Sequence, residues 1–71
     1  MEREYVESTM ITSIGYDDSC GTVEVEYRSN MQIWQYYDVP ESVYYNVRRS
    51  ASIGTSFNTY IKSHFREARV G

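Results

Sequence analysis

The side chains best suited to chemistry lie between Arg48 and Asn58, where two adjacent arginines precede the run Ser50-Ala51-Ser52-Ile53-Gly54-Thr55-Ser56. Guanidinium groups offer forked donors to phosphates and carboxylates. A helix opening at Ser52 to Thr55 would add unpaired backbone N–H groups and the positive end of its dipole, and Gly54 would let backbone come close to an anion. Arg48, Arg49, Ser52, Gly54, Thr55 and Asn58 are therefore candidate ligand-binding residues for a phosphate-bearing molecule. The same residues have architectural uses, since Ser52 can cap a helix and the arginines can neutralise the C-terminal dipole of a preceding one. Tyr16, Trp34 and Tyr36 are candidates for stacking on a nucleobase, within an aromatic set that also holds Tyr37, Tyr44, Tyr45 and Tyr60. Aromatics on strands also serve as core or subunit interface.

Catalytic and metal chemistry find little support. Cys20 and His64 are the only thiol and the only imidazole, one in a turn and one late in the chain, with no sequence reason to meet as nucleophile and base. One cysteine and one histidine do not supply a transition-metal ligand set. Asp17-Asp18 lies in a turn cluster that lacks a calcium-loop pattern, so solvated carboxylates are expected there. No catalytic residue, metal or cofactor is expected.

The elements that position these residues follow from periodicity. Ile11 to Tyr16 alternates with period two, and Thr22 to Arg28 places Val23, Val25 and Tyr27 on one face with Glu24, Glu26 and Arg28 on the other. Asp17 to Gly21 is a turn. Ser29-Asn30 suits a hairpin tip, Asn30 being tolerant of positive φ, and Met31 to Asp38 reads as a third strand. On it Trp34 and Tyr36 share one face while Met31, Ile33 and Tyr37 share the other. Both are apolar, so one should meet the helices and the other a neighbouring subunit or ligand. Pro40 fits the first position of a helix running to about Ser50, with the stripe Val43, Tyr44, Val47 and Ala51. Phe57, Ile61, Phe65 and Ala68 mark a second helix, after which Arg69-Val70-Gly71 should fray. The expected fold is α+β, a three-stranded antiparallel β-meander followed by two helices packed on one face (β-β-β-α-α), in one domain over residues 1–71.

With 71 residues, a chain buries only about 60% of the surface it exposes when unfolded. Apolar content of 41%, with eight tyrosines, suffices for a core. Without a disulfide, self-association is the expected source of extra stability, so a homo-oligomer is expected. No apolar run approaches the roughly 20 residues of a membrane span, and Met1-Glu2-Arg3-Glu4 is too polar to open a secretory signal. A cytoplasmic protein without a membrane partner is expected. Net charge is −3, which disfavours a long polyanion such as RNA. The balance is uneven: residues 1–41 carry nine acids against two arginines, a net −7, and residues 42–71 carry five cations against Glu67, a net +4. An anionic partner should meet the second half.

These motifs, taken in order, resemble the KTSC domain family. The resemblance spans about Ser8 to Phe65 and rests on Ser8-Thr9-Met10-Ile11, Ile14-Gly15-Tyr16-Asp17, Val23-Glu24-Val25-Glu26-Tyr27, Trp34-Gln35-Tyr36, Asp38-Val39-Pro40, and Ser52-Ile53-Gly54 leading to Phe57-Asn58 and Ile61. The chain departs from the family pattern at Trp34, where tyrosine is usual, and at the tip Ser29-Asn30-Met31, where a glycine is usual. It departs again at Ile53 and Thr55, where basic side chains often flank the glycine. The resemblance implies a stand-alone bacterial or phage domain without catalytic residues. By analogy with small phage oligomers that take up host signals, it suggests a non-enzymatic sponge that sequesters cyclic (di)nucleotide immune signals in the host cytoplasm. The alternatives are an RNA- or tRNA-binding module, implied by the family's occurrence at the end of some lysyl-tRNA synthetases, and a protein-protein interaction module.

Overall fold

The computed structural model describes residues 1–71. The chain runs β1 (Glu4–Tyr5), β2 (Ile11–Asp17), β3 (Thr22–Tyr27), β4 (Ile33–Tyr36), α1 (Glu41–Arg49), α2 (Ile53–Tyr60) and β5 (Glu67–Arg69). The strands form one antiparallel sheet in the order β1-β2-β3-β4-β5. The α+β class, the central meander and the two helices after it agree with the sequence reading. The sheet has five strands rather than three, because each end of the chain adds a short outer strand. No helix is long and apolar enough to cross a membrane.

The β2–β3 hairpin turns where Asp17 Oδ1 accepts from the Ser19 N–H at 3.0 Å and from its hydroxyl at 2.6 Å, and Gly21 takes a left-handed φ of 69°. Those hydrogen bonds hold the Asp17 carboxyl below its ordinary range. At the β3–β4 tip the left-handed residue is Met31, at φ 58°, and not Asn30. Asn30 instead uses Oδ1 to accept from Gln32 N–H at 2.9 Å. The third strand is therefore shorter than the Met31–Asp38 expected of it.

A bulge between Ile11 and Ser13 breaks the strict alternation of β2. Because a bulge inserts one residue, it turns Ile11 to the same face as Ile14. Both are fully buried there with Val23, Val25 and Tyr36. The helices complete this core with Tyr44, Val47, Phe57 and Ile61. Ala51 is exposed and does not belong to the α1 stripe. Pro40 stands one place before α1 as its N-cap residue, and the Ser50 hydroxyl closes the other end by donating to Val47 O at 2.8 Å.

The second helix stops at Tyr60, not beyond Phe65. The Lys62 N–H bonds Phe57 O at 3.0 Å, and Ser63 adopts φ 70° to reverse the chain. Ala68 consequently lies in β5 beside Gln35. The residues expected to fray are held: Val70 N–H bonds Ile33 O at 2.8 Å and Gly71 N–H bonds the same oxygen at 3.1 Å.

Inside the core the Phe57 ring meets the Tyr36 ring edge-on at 5.2 Å and the Tyr27 ring at 6.2 Å. The hydroxyls of Tyr27 and Tyr36 bond each other. Gly54 sits where α2 crosses the loop before β2. A Cβ there would lie 2.9 Å from Ser8 Oγ and 3.2 Å from Met10 Cβ. Ser8 Oγ is not free to move, because it accepts from Met10 N–H at 3.1 Å and Ile11 N–H at 3.2 Å.

Two consequences can be measured. Replacing Gly54 by alanine should lower stability in urea by about 1–3 kcal/mol through overpacking, and Ser8→Ala in the same chain should recover part of that loss. Burial raises the phenols of Tyr27, Tyr36 and Tyr44 above the ordinary tyrosine value of 10.0. A raised folded value means that the neutral form is favoured in the fold. Its stability is fully present below about pH 10 and is lost as pH climbs from there toward the folded values. Urea midpoints should therefore hold level to about pH 9 and fall above about pH 10. The double variant Tyr27→Phe/Tyr36→Phe should flatten that fall, and an unchanged slope would refute the assignment.

Candidate functional site

The nine candidate residues do not form one site; the fold divides them among three places. Ser52, Gly54, Thr55 and Asn58 line a cleft of about 570 Å³ with Ser8, Thr9 and Met10. Arg48, Arg49 and Tyr16 line a second cleft of about 580 Å³ with Glu2, Glu4, Tyr44 and Tyr45. Trp34 borders a third, smaller groove beside Tyr27, Gln32 and Lys62, with Tyr36 at its floor.

In the first cleft the candidate residues have structural work. The Ser52 side chain caps α2 by accepting from Thr55 N–H at 3.4 Å, and the two hydroxyls bond each other at 3.0 Å. Gly54 is closed in by Ser8 and Met10 and so is not the point of approach for an anion. Asn58 Nδ2 donates to Met10 Sδ at 3.1 Å. No cation lines this cleft.

Two of the three stacking candidates are likewise occupied. Tyr36 is fully buried in the core, and its burial satisfies an aromatic ring and a hydroxyl at once. Tyr16 lies flat on Tyr44, ring centroids 4.6 Å apart at 12°, and its hydroxyl donates to Val39 O at 2.6 Å. Burial, with the carboxylates of Glu41 and Asp18 nearby, pushes the Tyr16 phenol up. Trp34 is half-buried on the helix-facing side, its indole N–H donating to Gln32 Oε1 at 3.2 Å.

The second cleft combines charge with an open aromatic face. On α1 the helical repeat sets Tyr45 three and four residues before Arg48 and Arg49, which brings all three to one side. Arg49 Nε donates to Tyr45 O at 3.2 Å, a contact to a last-turn carbonyl that suits the helix dipole and leaves its terminal N–H fork unspent. Arg48 Nη2 pairs with Glu4 Oε1 at 2.9 Å, and that carboxylate is itself largely exposed. Tyr45 packs edge-on against Tyr44 at 5.1 Å and leaves 45% of its surface in solvent. Helical spacing sets Tyr45 beside the arginines, a signal that the strand aromatics Tyr16, Trp34 and Tyr36 do not share. Glu4 carries no local signal, since it reaches Arg48 only through the β1–β2 pairing.

The helix-free side of the sheet is polar instead of apolar. Arg3 bonds Glu24 and donates through Nε to Ser13 Oγ at 2.9 Å. Gln35 Nε2 donates to Glu24 Oε1 at 2.8 Å, and Tyr37 Oη donates to Gln35 Oε1 at 3.0 Å. The two apolar faces expected of β4 are thus reduced to one. Cys20 rests in the β2–β3 turn with Sγ 3.2 Å from Thr22 Oγ1, while His64 is exposed in the turn after α2. No three His, Cys, Asp or Glu side chains converge.

Comparison with known proteins agrees with this architecture. A solved KTSC domain protein from Yersinia pestis superposes with a TM-score of 0.93 at 34% identity, covering 99% of this chain and 97% of that one. An uncharacterized protein of Stutzerimonas stutzeri (strain A1501) is 32% identical over 71 residues, 99% of either chain. The family model described as the KTSC domain matches residues 7–65. With the bulged β2, the Trp34-Gln35-Tyr36 strand and the Gly54 crossing all inside that span, the chain belongs to the KTSC domain family.

Proposed function

We propose that this protein is a non-catalytic binding module for a small, phosphate-bearing ligand of nucleotide type, engaged at the Tyr45–Arg48–Arg49 cleft. Its use would be sequestration, the sponge-like capture of a cyclic nucleotide signal. The observation that carries the reading is the convergence of two guanidiniums and one exposed aromatic ring on one cleft of about 580 Å³, within the range usual for small-ligand sites. Arginine forks suit phosphate, and a tyrosine face suits a base.

Glu2 and Glu4 line the same cleft, so the phosphate enters by displacing Glu4 from Arg48. That competition lowers affinity and selects for ligands with enough negative charge to win it. The cations outside the cleft support a small ligand over a long nucleic acid. Arg3 is spent on Glu24, Arg66 lies 3.7 Å from Asp38, and Lys62 stands over the Tyr27 ring at 5.2 Å. Scattered in this way, they do not offer the run of phosphate contacts that RNA binding needs.

The test is calorimetry, with a parallel thermal-shift screen, against cyclic dinucleotides, cyclic and linear mononucleotides, inorganic phosphate and short RNA. A ligand at a hundred times its dissociation constant should stabilise the fold by about 2.7 kcal/mol. Arg48→Ala and Arg49→Ala should each weaken binding about tenfold or more while the fold persists. Glu4→Gln should tighten it by about two- to fivefold, because the competing exposed ion pair is lost. Unchanged affinity in a folded Arg48→Ala/Arg49→Ala variant, or no response to any nucleotide, would reject the reading and direct attention to a protein partner.

A further inference from the structure

The outer edge of β5 has the geometry of a strand that pairs with itself. Tyr37 N–H bonds Arg66 O at 2.9 Å and Val70 N–H bonds Ile33 O at 2.8 Å. The register sets Tyr36 beside Glu67, Gln35 beside Ala68 and Trp34 beside Arg69. In an antiparallel ladder, residues that bond a given neighbour alternate with residues whose backbone groups point the other way. Arg66, Ala68 and Val70 are thus turned toward β4, and the N–H and C=O of Glu67 and Arg69 point outward. Both residues are exposed, with nothing beyond them in the sheet.

The order of side chains makes this edge complementary to itself. Let two copies pair antiparallel about a two-fold axis through Ala68. Glu67 of each then falls opposite Arg69 of the other, and these are the residues with free backbone groups. Ala68 meets its own copy at the closely spaced, non-hydrogen-bonded position, where small side chains fit. Val70, half exposed, falls opposite Arg66, whose methylene stem can cover it. Arg69 Nε donates to Gly71 O at 2.8 Å, which leaves the terminal fork of its guanidinium for a carboxylate.

Other arrangements are opposed by the same residues. Sliding the pairing by two residues sets Glu67 against Glu67 or Arg69 against Arg69, and an in-register parallel pair does both. Charged residues on a short edge strand ordinarily guard against sheet-to-sheet association; the sequence Glu67-Ala68-Arg69 opposes the neighbouring antiparallel registers and the in-register parallel pair while favouring the one centred on Ala68.

We propose that β5 is a homodimerisation edge, through which two copies join antiparallel across Glu67–Arg69 into a continuous sheet of twice the five strands of one chain. The contact is short, so the dimer is weak and concentration-dependent. This inference is independent of what the Arg48–Arg49 cleft binds.

Sedimentation equilibrium of the full chain over a concentration series tests it. The wild type should rise from the mass of one chain toward that of two, less steeply at high salt. Glu67→Arg and Arg69→Glu should each raise the dissociation constant about tenfold or more, since each sets like charges opposite one another twice. An equimolar mixture of these two variants should associate at least as well as wild type, because each edge then carries the charges the other needs. Arg69→Pro removes an outward N–H that β4 does not use, so it should keep the circular-dichroism spectrum of the fold and lose association. A wild type that stays single throughout overturns the proposal, whether or not its edge then takes an extended peptide from another protein. Single charge variants that associate like wild type, or a mixture that fails to restore association, overturn it equally.

Discussion

The contact on which the rest of this fold depends is the packing of Phe57 between Tyr27 and Tyr36. It joins α2 to the middle of the sheet, and in so small a chain few other groups could replace it. Fully burying one such ring contributes about 1.5–3 kcal/mol, a large share of the stability a short domain can reach. The two phenols bring polar atoms into that core, where an unpaired hydroxyl would be costly. They satisfy one another, so neither is left to recognise a ligand. Fixing Phe57 in turn sets where the start of α2 crosses the Ser8–Met10 loop, and the crossing is close enough that only a glycine fits at residue 54. A motif that suggests a phosphate loop in sequence is therefore the consequence of a packing constraint three residues further along the same helix.

How much of this was legible depended on whether burial or hydrogen bonding defines each element. Of the α1 stripe only Ala51 falls outside the core, and its Val43, Tyr44 and Val47, like the Val23, Val25 and Tyr27 face of β3, are set by burial. The outer strands are not. Glu4 and Tyr5 are both exposed, and Glu67-Ala68-Arg69 is polar with only its alanine half-covered. Such strands are held by backbone ladders to β2 and β4, which no side-chain period reports. Ala68 continues the spacing of Phe57, Ile61 and Phe65 by coincidence, and the left-handed turn at Ser63 is what ends the helical reading. The bulge near Thr12 was hidden for a related reason. Strict alternation would have sent Ile11 to the opposite face from Ile14, and one extra residue reconciles two isoleucines that both require the core.

Of the residues offered by the sequence, Arg48 and Arg49 come together in one cleft, whereas Tyr16 and Tyr36 are engaged within the fold. Arg48 and Arg49 were identifiable because a helix end with two arginines is a local feature. Tyr16 and Tyr36 were poor stacking candidates because a strand aromatic in a small domain is needed by the core, and both are already engaged. Tyr45, on the same helical face as the arginines, keeps an exposed ring beside them. The charge asymmetry between the halves of the chain was real in sequence, yet it does not become a basic face. The acids of the first half fold back onto the cations of the second, as Glu4 does with Arg48 and Asp38 with Arg66.

The N-terminal residues have a larger role than their short strand suggests. Arg3 neutralises Glu24, whose side chain is only 9% exposed, and a carboxylate buried to that degree is costly without a partner. The same anchoring carries Glu2 across Gly15, where a Cβ would collide with the Glu2 carbonyl, and so delivers Glu4 to Arg48. The cleft is thus built at the β1 side of the sheet, while the self-complementary edge is β5, four strand spacings away. At roughly 4.8 Å per spacing that separation approaches 20 Å. A dimer formed through β5 would carry its two clefts toward the far ends of the joined sheet, each made from one chain alone. Ligand capture and association would then be additive instead of cooperative, and a ligand enclosed between two subunits would require a different interface from the one this edge provides.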